Sequence, residues 1–149
     1  MTEVIIATEG DIPRILEIEH EAFSPPWTHG ALLAEIYNED SFFALAVLQG
    51  EVVGFCILRR MADEGELLQI AVDPMYRRRG LADKLVIAAL DWAKAQGLHS
   101  VFLEVRVSAT PAAALYEKHG FESMGQRKDY YTDPTEDAVL MRKGLVARG

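Results

Sequence analysis

The segment Leu67-Leu68-Gln69-Ile70-Ala71-Val72-Asp73-Pro74-Met75-Tyr76-Arg77-Arg78-Arg79-Gly80-Leu81-Ala82 holds three pieces in series. Leu67 to Val72 is an apolar run closed by Asp73-Pro74, which reads as a strand. From Gly80 to Gln96 the residues Leu81, Leu85, Ala88, Ala89 and Trp92 recur at helical spacing, a stripe for a helix lying on a sheet. Between them three consecutive arginines meet a glycine. A strand, a short basic turn and a helix start are what a diphosphate requires, because the free amides of the first turn and the helix dipole both face the ligand. Gly80 and the small Ala82 let backbone amides approach oxygen closely, and arginine neutralises it in forked geometry. The dinucleotide fingerprint G-x-G-x-x-G and the Walker lysine are both missing from this turn. The competing role for Arg77 to Arg79 is a solvated charge run.

Outward from this segment the chain alternates strand and helix patterns. Glu3 to Thr8 predicts a strand, and Gly10-Asp11 before Pro13 starts a helix that runs to about Phe23 with Ile12, Ile15, Leu16 and Glu19 on successive turns. Ser24-Pro25-Pro26-Trp27 stops it. Thr28 caps a second helix bearing Leu32, Leu33 and Ile36. Phe42 to Leu48 and Val52 to Arg59 form a hairpin around Gly50. After the helix that Gly97 ends, Ser100 to Val107 predicts a strand, and Thr110-Pro111 a capped helix start reaching His119. Phe121 to Gln126 and Ala138 to Arg142 are the last strands, joined by a tyrosine-bearing loop from Asp129 to Asp137. The order β-α-α-β-β-β-α-β-α-β-β predicts an α/β (α+β) fold: a single mixed, mostly antiparallel sheet with helices on both faces.

The composition bounds what such a fold can do. The chain has 149 residues, half of them hydrophobic and 26% charged, which suits one globular domain over 1–149. No apolar run approaches the length of a bilayer span, and Met1 to Ala7 carries neither a basic leader nor a cleavage site, so a cytoplasmic location is expected and a membrane partner is not. The single cysteine, Cys56, excludes an internal disulfide and lies in an apolar strand without an adjacent histidine, which reads as a buried thiol. His20, His29, His99 and His119 lack ligand spacing, and no metal is expected. A net charge of −8 disfavours direct nucleic-acid binding and makes any anion site local.

Gln69 to Val72, Asp73-Pro74-x-Tyr76 and the R-x-x-G-x-A string from Arg77 to Ala82 resemble the acetyl-CoA motif of GNAT-type N-acyltransferases. The resemblance extends along nearly the whole chain. Ser24-Pro25-Pro26-Trp27, Glu66-Leu67-Leu68, Leu103-Glu104-Val105-Arg106, Ala114-Leu115-Tyr116-Glu117 with Gly120-Phe121, and Arg127-Lys128-Asp129-Tyr130-Tyr131 are similar to the RimI-like branch, which acetylates the N-terminus of a small-subunit ribosomal protein. The resemblance implies acetyl-CoA as cosubstrate. It further implies that the backbone of Ile70, Ala71 and Val72 pairs with the pantetheine amides as an added strand. The pyrophosphate would then lie on Arg77, Arg78, Arg79, Gly80, Leu81 and Ala82. Trp27, Glu66, Tyr130 and Tyr131 are implied walls of the acceptor peptide's groove. One position departs from the pattern: Ala109 stands where the branch carries an asparagine, so that side-chain amide is absent, with Ser108 or Thr110 as nearby replacements.

Acetyl transfer to an amine requires a neutral nucleophile and a proton for the departing thiolate. Leu103, Val105 and Val107 share one face of their strand, so Glu104 points the other way beside Phe102 and Arg106. The family resemblance selects Glu104 as the base; a surface ion pair with Arg106 is the competing role. A carboxylic acid near its usual pKa of about 4.3 is a weak base for an ammonium, so burial must raise it or a water must relay the proton. Tyr116 is the candidate acid, against the alternative of a core aromatic. A phenol near pKa 10 protonates a thiolate near 8.5 at a cost of about 2 kcal/mol. An α-amine is roughly 400 times easier to present neutral at pH 7 than a lysine, which favours an N-terminal acceptor. Acetylation of a lysine or small amine, and an acetyl-CoA sensor without turnover, are the alternatives.

Overall fold

The computed structural model describes residues 2–145; Met1 and residues 146–149, included above in the single domain, lie outside the described residues. The elements run β1 (Thr2–Ile6), α1 (Ile12–Ala22), α2 (His29–Tyr37), β2 (Ser41–Leu48), β3 (Glu51–Met61), β4 (Glu64–Val72), α3 (Leu81–Ala95), β5 (Ser100–Arg106), α4 (Thr110–Lys118), β6 (Glu122–Tyr131) and β7 (Glu136–Gly144). They form one seven-stranded sheet in the order β1-β2-β3-β4-β5-β7-β6. Neighbours are antiparallel, through hairpins at β2–β3, β3–β4 and β6–β7 and through longer connections at β1–β2 and β5–β7, and the crossover through α3 makes β4 and β5 the parallel pair. The expected α+β sheet with helices on both faces is the observed one.

Residue size sorts the two faces. Ala44 and Ala46 of β2 are small where α3 packs, alongside Cys56, Leu58, Leu85, Ala89 and Leu103. The alternate positions Phe43, Leu45 and Val47 are large and meet Ile12, Ile15 and Ile18 of α1 and Leu32 of α2. β3 and β4 slip register between Ile57 and Leu58, so that Leu68 has no partner across from it. This bulge reverses the alternation: Leu67 faces the α3 side, while Gln69 and Ala71 turn toward α1. At the far end Gly54 is required, because a Cβ there would come within 2.8 Å of the Ala71 carbonyl oxygen.

Several expected boundaries move. β4 begins at Glu64 rather than Leu67, which places Glu66 inside the strand. The buried positions of α3 are Leu81, Leu85, Val86, Ala89, Leu90 and Ala93, so the stripe runs through Val86 and Ala93 rather than Ala88 and Trp92. Thr110 is the first residue of α4 and not its cap; Ala109 occupies the cap position without a side-chain bond. Tyr130 and Tyr131 lie on the end of β6 and not in a loop from Asp129 to Asp137, because aromatic residues suit a strand and Asp129, at φ 52°, makes a break within it rather than ending it. No described helix is long and apolar enough to cross a membrane.

Candidate active site

The parallel contact of β4 with β5 is short. Glu64, Gly65 and Glu66 pair with Ser100, Val101 and Phe102, and the pairing goes no further. From Leu67 to Val72, β4 pairs only with β3, while β5 beyond Phe102 pairs only with β7. The two strands therefore part into a wedge, and the β4 wall of that wedge carries strand N–H and C=O groups with no strand partner. An extended amide chain is what such an edge accepts.

The wedge opens toward the turn before α3. Asp73 accepts from Met75 N at 2.9 Å and from Arg14 Nη2 at 2.6 Å, which fixes the 3-10 turn Pro74–Tyr76. The arginine pair, more than any other contact, holds the Asp73 carboxyl below the usual carboxylate range. Arg78 at φ 65° and Gly80 at φ 74° then bend the backbone into α3, whose first turn has no side-chain cap. A cavity of about 140 Å³ results, lined by Val72, Tyr76, Arg77, Arg78, Gly80, Leu81, Ala82 and Asp83. Arg79 does not line it; its guanidinium lies over the Tyr76 ring at 5.4 Å. Ile70 packs on the α3-side core and Ala71 is buried on the α1 side, so these two offer backbone rather than side chain. Asp83 is an acidic member that the sequence reading missed. His119 Nε2 lies 2.7 Å from its carboxylate and Lys118 Nζ, at 3.0 Å, balances its charge; the hydrogen bond to His119, ahead of that to Lys118, draws its carboxyl below the ordinary range. No sequence-local signal could have found it, since the partners come from the end of α4.

Glu104 faces the α1 side, with its side chain 9% exposed. One carboxylate oxygen lies 2.6 Å from Arg127 Nε, and the other accepts from the Tyr130 hydroxyl at 3.1 Å. Arg106 is not its partner. That guanidinium donates to the carbonyls of Ser24 at 2.7 Å, Thr132 at 2.9 Å and Pro134 at 2.9 Å, and pairs with Glu136 at 3.2 Å. It also lies 4.6 Å from the centre of the Tyr131 ring. The i, i+2 geometry put Arg106 on the right face, but the strand neighbours and two loops claimed its charge. Glu66, opposite Phe102, makes no hydrogen bond or ion pair among the described residues. Burial and then the Glu104 charge push its carboxyl upward, against the pull of Arg59 and Arg127.

Two aromatic groups flank these carboxylates. Tyr130 and Tyr131 meet edge to face at 5.0 Å. Burial first, then Tyr130 and Glu104, push the half-buried Tyr131 phenol up to about 12. Trp27 is anchored from behind: its amide donates to Glu19 Oε2 at 3.0 Å, and the same oxygen accepts from Gln69 Nε2 at 2.8 Å. Glu19 is fully buried, and burial raises its carboxyl above the ordinary range despite both donors. The sequence places Glu19 on successive turns with Ile12, Ile15 and Leu16 and gives no sign of this role.

Tyr116 lies on the other face of the sheet. It is 7% exposed, within the core that contains Leu103 and Val105, and packs edge to face on Phe121 at 5.8 Å. Burial, reinforced by Tyr131, raises its phenol well above the ordinary tyrosine range, so it holds its proton. Cys56 is buried, donates to the Leu85 carbonyl at 3.8 Å and has its thiol pushed up to about 12 by burial. Ser108, a proposed replacement for the missing asparagine, is tied through its amide to Glu136 at 2.5 Å.

The family model described as Acetyltransferase (GNAT) family matches residues 12–121. A ribosomal protein bS18-alanine N-acetyltransferase of Haemophilus ducreyi is 37% identical over 145 residues, covering 95% of this chain and 97% of its own. A protein of Bacillus subtilis with the same name, qualified as putative, is 36% identical over 132 residues, covering 88% of this chain and 87% of its own. The crystal structure of the ribosomal-protein-S18-alanine N-acetyltransferase from Escherichia coli superposes with a TM-score of 0.90 at 33% identity, covering 100% of this chain and 97% of that one.

Proposed function

The chain belongs to the GNAT acetyltransferase family and is an N-acetyltransferase; from that premise we propose that it acetylates the N-terminal amine of ribosomal protein bS18, with acetyl-CoA as donor. The whole-length similarity to enzymes with that name carries the choice of acceptor. The described chain acts as one acetyltransferase domain, in the cytoplasm where an N-terminus of that kind is found.

The residues fit the donor. The partnerless edge of β4 from Ile70 to Val72 suits a chain of amides, and Arg77, Arg78 and the amides of Gly80 to Ala82 suit a diphosphate. Arg79 contributes by stacking on Tyr76. The donor supplies a thioester, whose acyl carbon is open to attack by an amine.

Glu104 accepts the proton that the acceptor amine must lose. Both its oxygens already receive donors, so a water between carboxylate and amine is the route that leaves those contacts intact. Tyr116, kept protonated by burial, donates to the departing sulfur from the opposite side of the wedge. Its raised pKa makes that transfer more uphill than the ordinary phenol would be, which keeps the contribution moderate. Glu66 offers its free carboxylate to the acceptor's amine, and Trp27, Tyr130 and Tyr131 wall the first residue of the peptide.

Incubation with acetyl-CoA and short peptides beginning with a free alanine tests the reading. Mass spectrometry should find one acetyl group on the N-terminal nitrogen, together with free CoA. A protein that binds acetyl-CoA and leaves every such peptide unmodified overturns the N-terminal reading and leaves a lysine or small amine as the acceptor to test.

A further inference from the structure

Arg127 projects from β6, the outermost strand, at the last regular pairing with β7 before the ladder skips to Tyr131 and Glu136. Its side chain is 58% exposed, yet its Nε lies 2.6 Å from the almost covered Glu104 carboxylate. The guanidinium also lies 5.9 Å from the centre of the Tyr130 ring, whose hydroxyl holds the other oxygen of Glu104. Arg127 further lines a cavity of about 250 Å³ with Glu64, Phe102, Met124, Leu140 and Arg142. A fixed cation thus stands at the outer side of the carboxylate group.

The local charges give this position a meaning. Glu66 and Glu104 face the site from β4 and β5. Arg59 on β3 is paired with Glu35 of α2 and still pulls on the Glu66 carboxyl from the inner side. Arg127, paired with Glu104, is the cation that acts on both carboxylates from the outer, solvent side. Without it they would draw in any ammonium. A lysine side chain, with a pKa near 10.4, is almost entirely cationic at pH 7, whereas an α-amine near 7.8 is partly neutral.

Resting on the N-terminal reading above, we propose that Arg127 is a specificity-determining residue. Its charge repels acceptors that arrive as cations and so favours the α-amine over a lysine side chain or a cationic small amine. The guanidinium is screened by solvent, so it weakens binding of a full cation by about fivefold, and because most of the α-amine is also protonated at pH 7 the discrimination is smaller, about twofold.

The test measures inhibition of α-amine peptide acetylation at pH 7 by an N-terminally blocked peptide that carries one lysine. The same blocked peptide with glutamine in place of that lysine is the neutral control. In R127Q the lysine peptide should inhibit about fivefold more tightly relative to wild type, with the glutamine peptide unchanged. R127K, which keeps the charge, should behave as wild type toward both. Equal inhibition of wild type and R127Q by the lysine peptide overturns the inference, as does an equal change for lysine and glutamine peptides, which marks a packing role. A wild-type enzyme that acetylates no α-amine peptide overturns the N-terminal reading as well; one that does so while R127Q shows no charge-dependent change overturns this inference alone.

Discussion

Glu66 and Phe102 are the last residues at which β4 and β5 pair, and beyond them the facing edges of the two strands have no strand partner. The crossover through α3 sets this divergence, because the sheet neighbours β3 and β7 hold the two strands from either side. A donor lying in the gap should complete the β4 edge. Hydrogen exchange of amides between Leu67 and Val72 that do not bond to β3, and of those at Gly80 to Ala82, should slow at least tenfold on adding acetyl-CoA, while β2 is unaffected. Unchanged exchange in both segments would place the donor elsewhere.

Glu104 and Tyr116 lie on opposite faces of the sheet, and under the proposed roles of base and acid their losses should be separable. E104Q should lower kcat about 100-fold, and Y116F about 10-fold, each with the KM for acetyl-CoA within twofold of wild type. Y116F keeps the ring packing on Phe121 at 5.8 Å, so its melting temperature should stay close to wild type. Steady-state kinetics with both substrates varied checks this. A Y116F enzyme with full kcat would return Tyr116 to a purely structural role.

Arg106 makes one guanidinium serve two loops. It binds the Ser24 carbonyl between α1 and α2, and the Thr132 and Pro134 carbonyls between β6 and β7. Ser24 Oγ adds a bond to the Asp133 carbonyl at 2.9 Å. R106A should destabilise the fold by about 2 kcal/mol and raise the acceptor peptide's KM about tenfold, with the KM for acetyl-CoA unchanged. Lysine reaches only some of these acceptors, so R106K should fall between. Equal losses for donor and acceptor would show a general collapse instead of a displaced acceptor wall.

The sequence made local features legible and left long-range ones hidden. Arg77 to Ala82 announces itself because glycine, small side chains and charge act within one turn, and the outward face of Glu104 follows from alternation in a single strand. What Glu104 touches does not follow. Arg127 reaches it only because β7 lies between β5 and β6, an order that no periodicity encodes. For the same reason Arg106 was matched to its strand neighbour when its partners lay up to 82 residues away. Gln69 faces α1 because of a bulge at Leu68, and a strict alternation from Leu67 assigns it to the wrong side.

Glu19 gives the last prediction, which concerns pH. Its carboxyl is fully buried with Oε1 unpartnered, and Gln69 Oε1 is likewise without a donor. Burial raises the folded-state pKa above the ordinary 4.5, so between those two values the native state binds more protons than the unfolded chain. Stability must therefore fall as pH rises from about 4.5 through the folded pKa, and the loss persists at neutral pH. E19Q removes that charge. A glutamine oxygen can still accept from Trp27 N, and its amide can supply a donor to an oxygen that now lacks one. E19Q should be more stable than wild type at pH 7, with the difference shrinking as pH falls through the folded pKa toward 4.5 and largely gone below it. Urea unfolding from pH 4 to 8 measures it. A variant that loses stability equally at every pH would show that the Glu19 carboxylate is satisfied in the folded protein and that its burial carries no proton-linked cost.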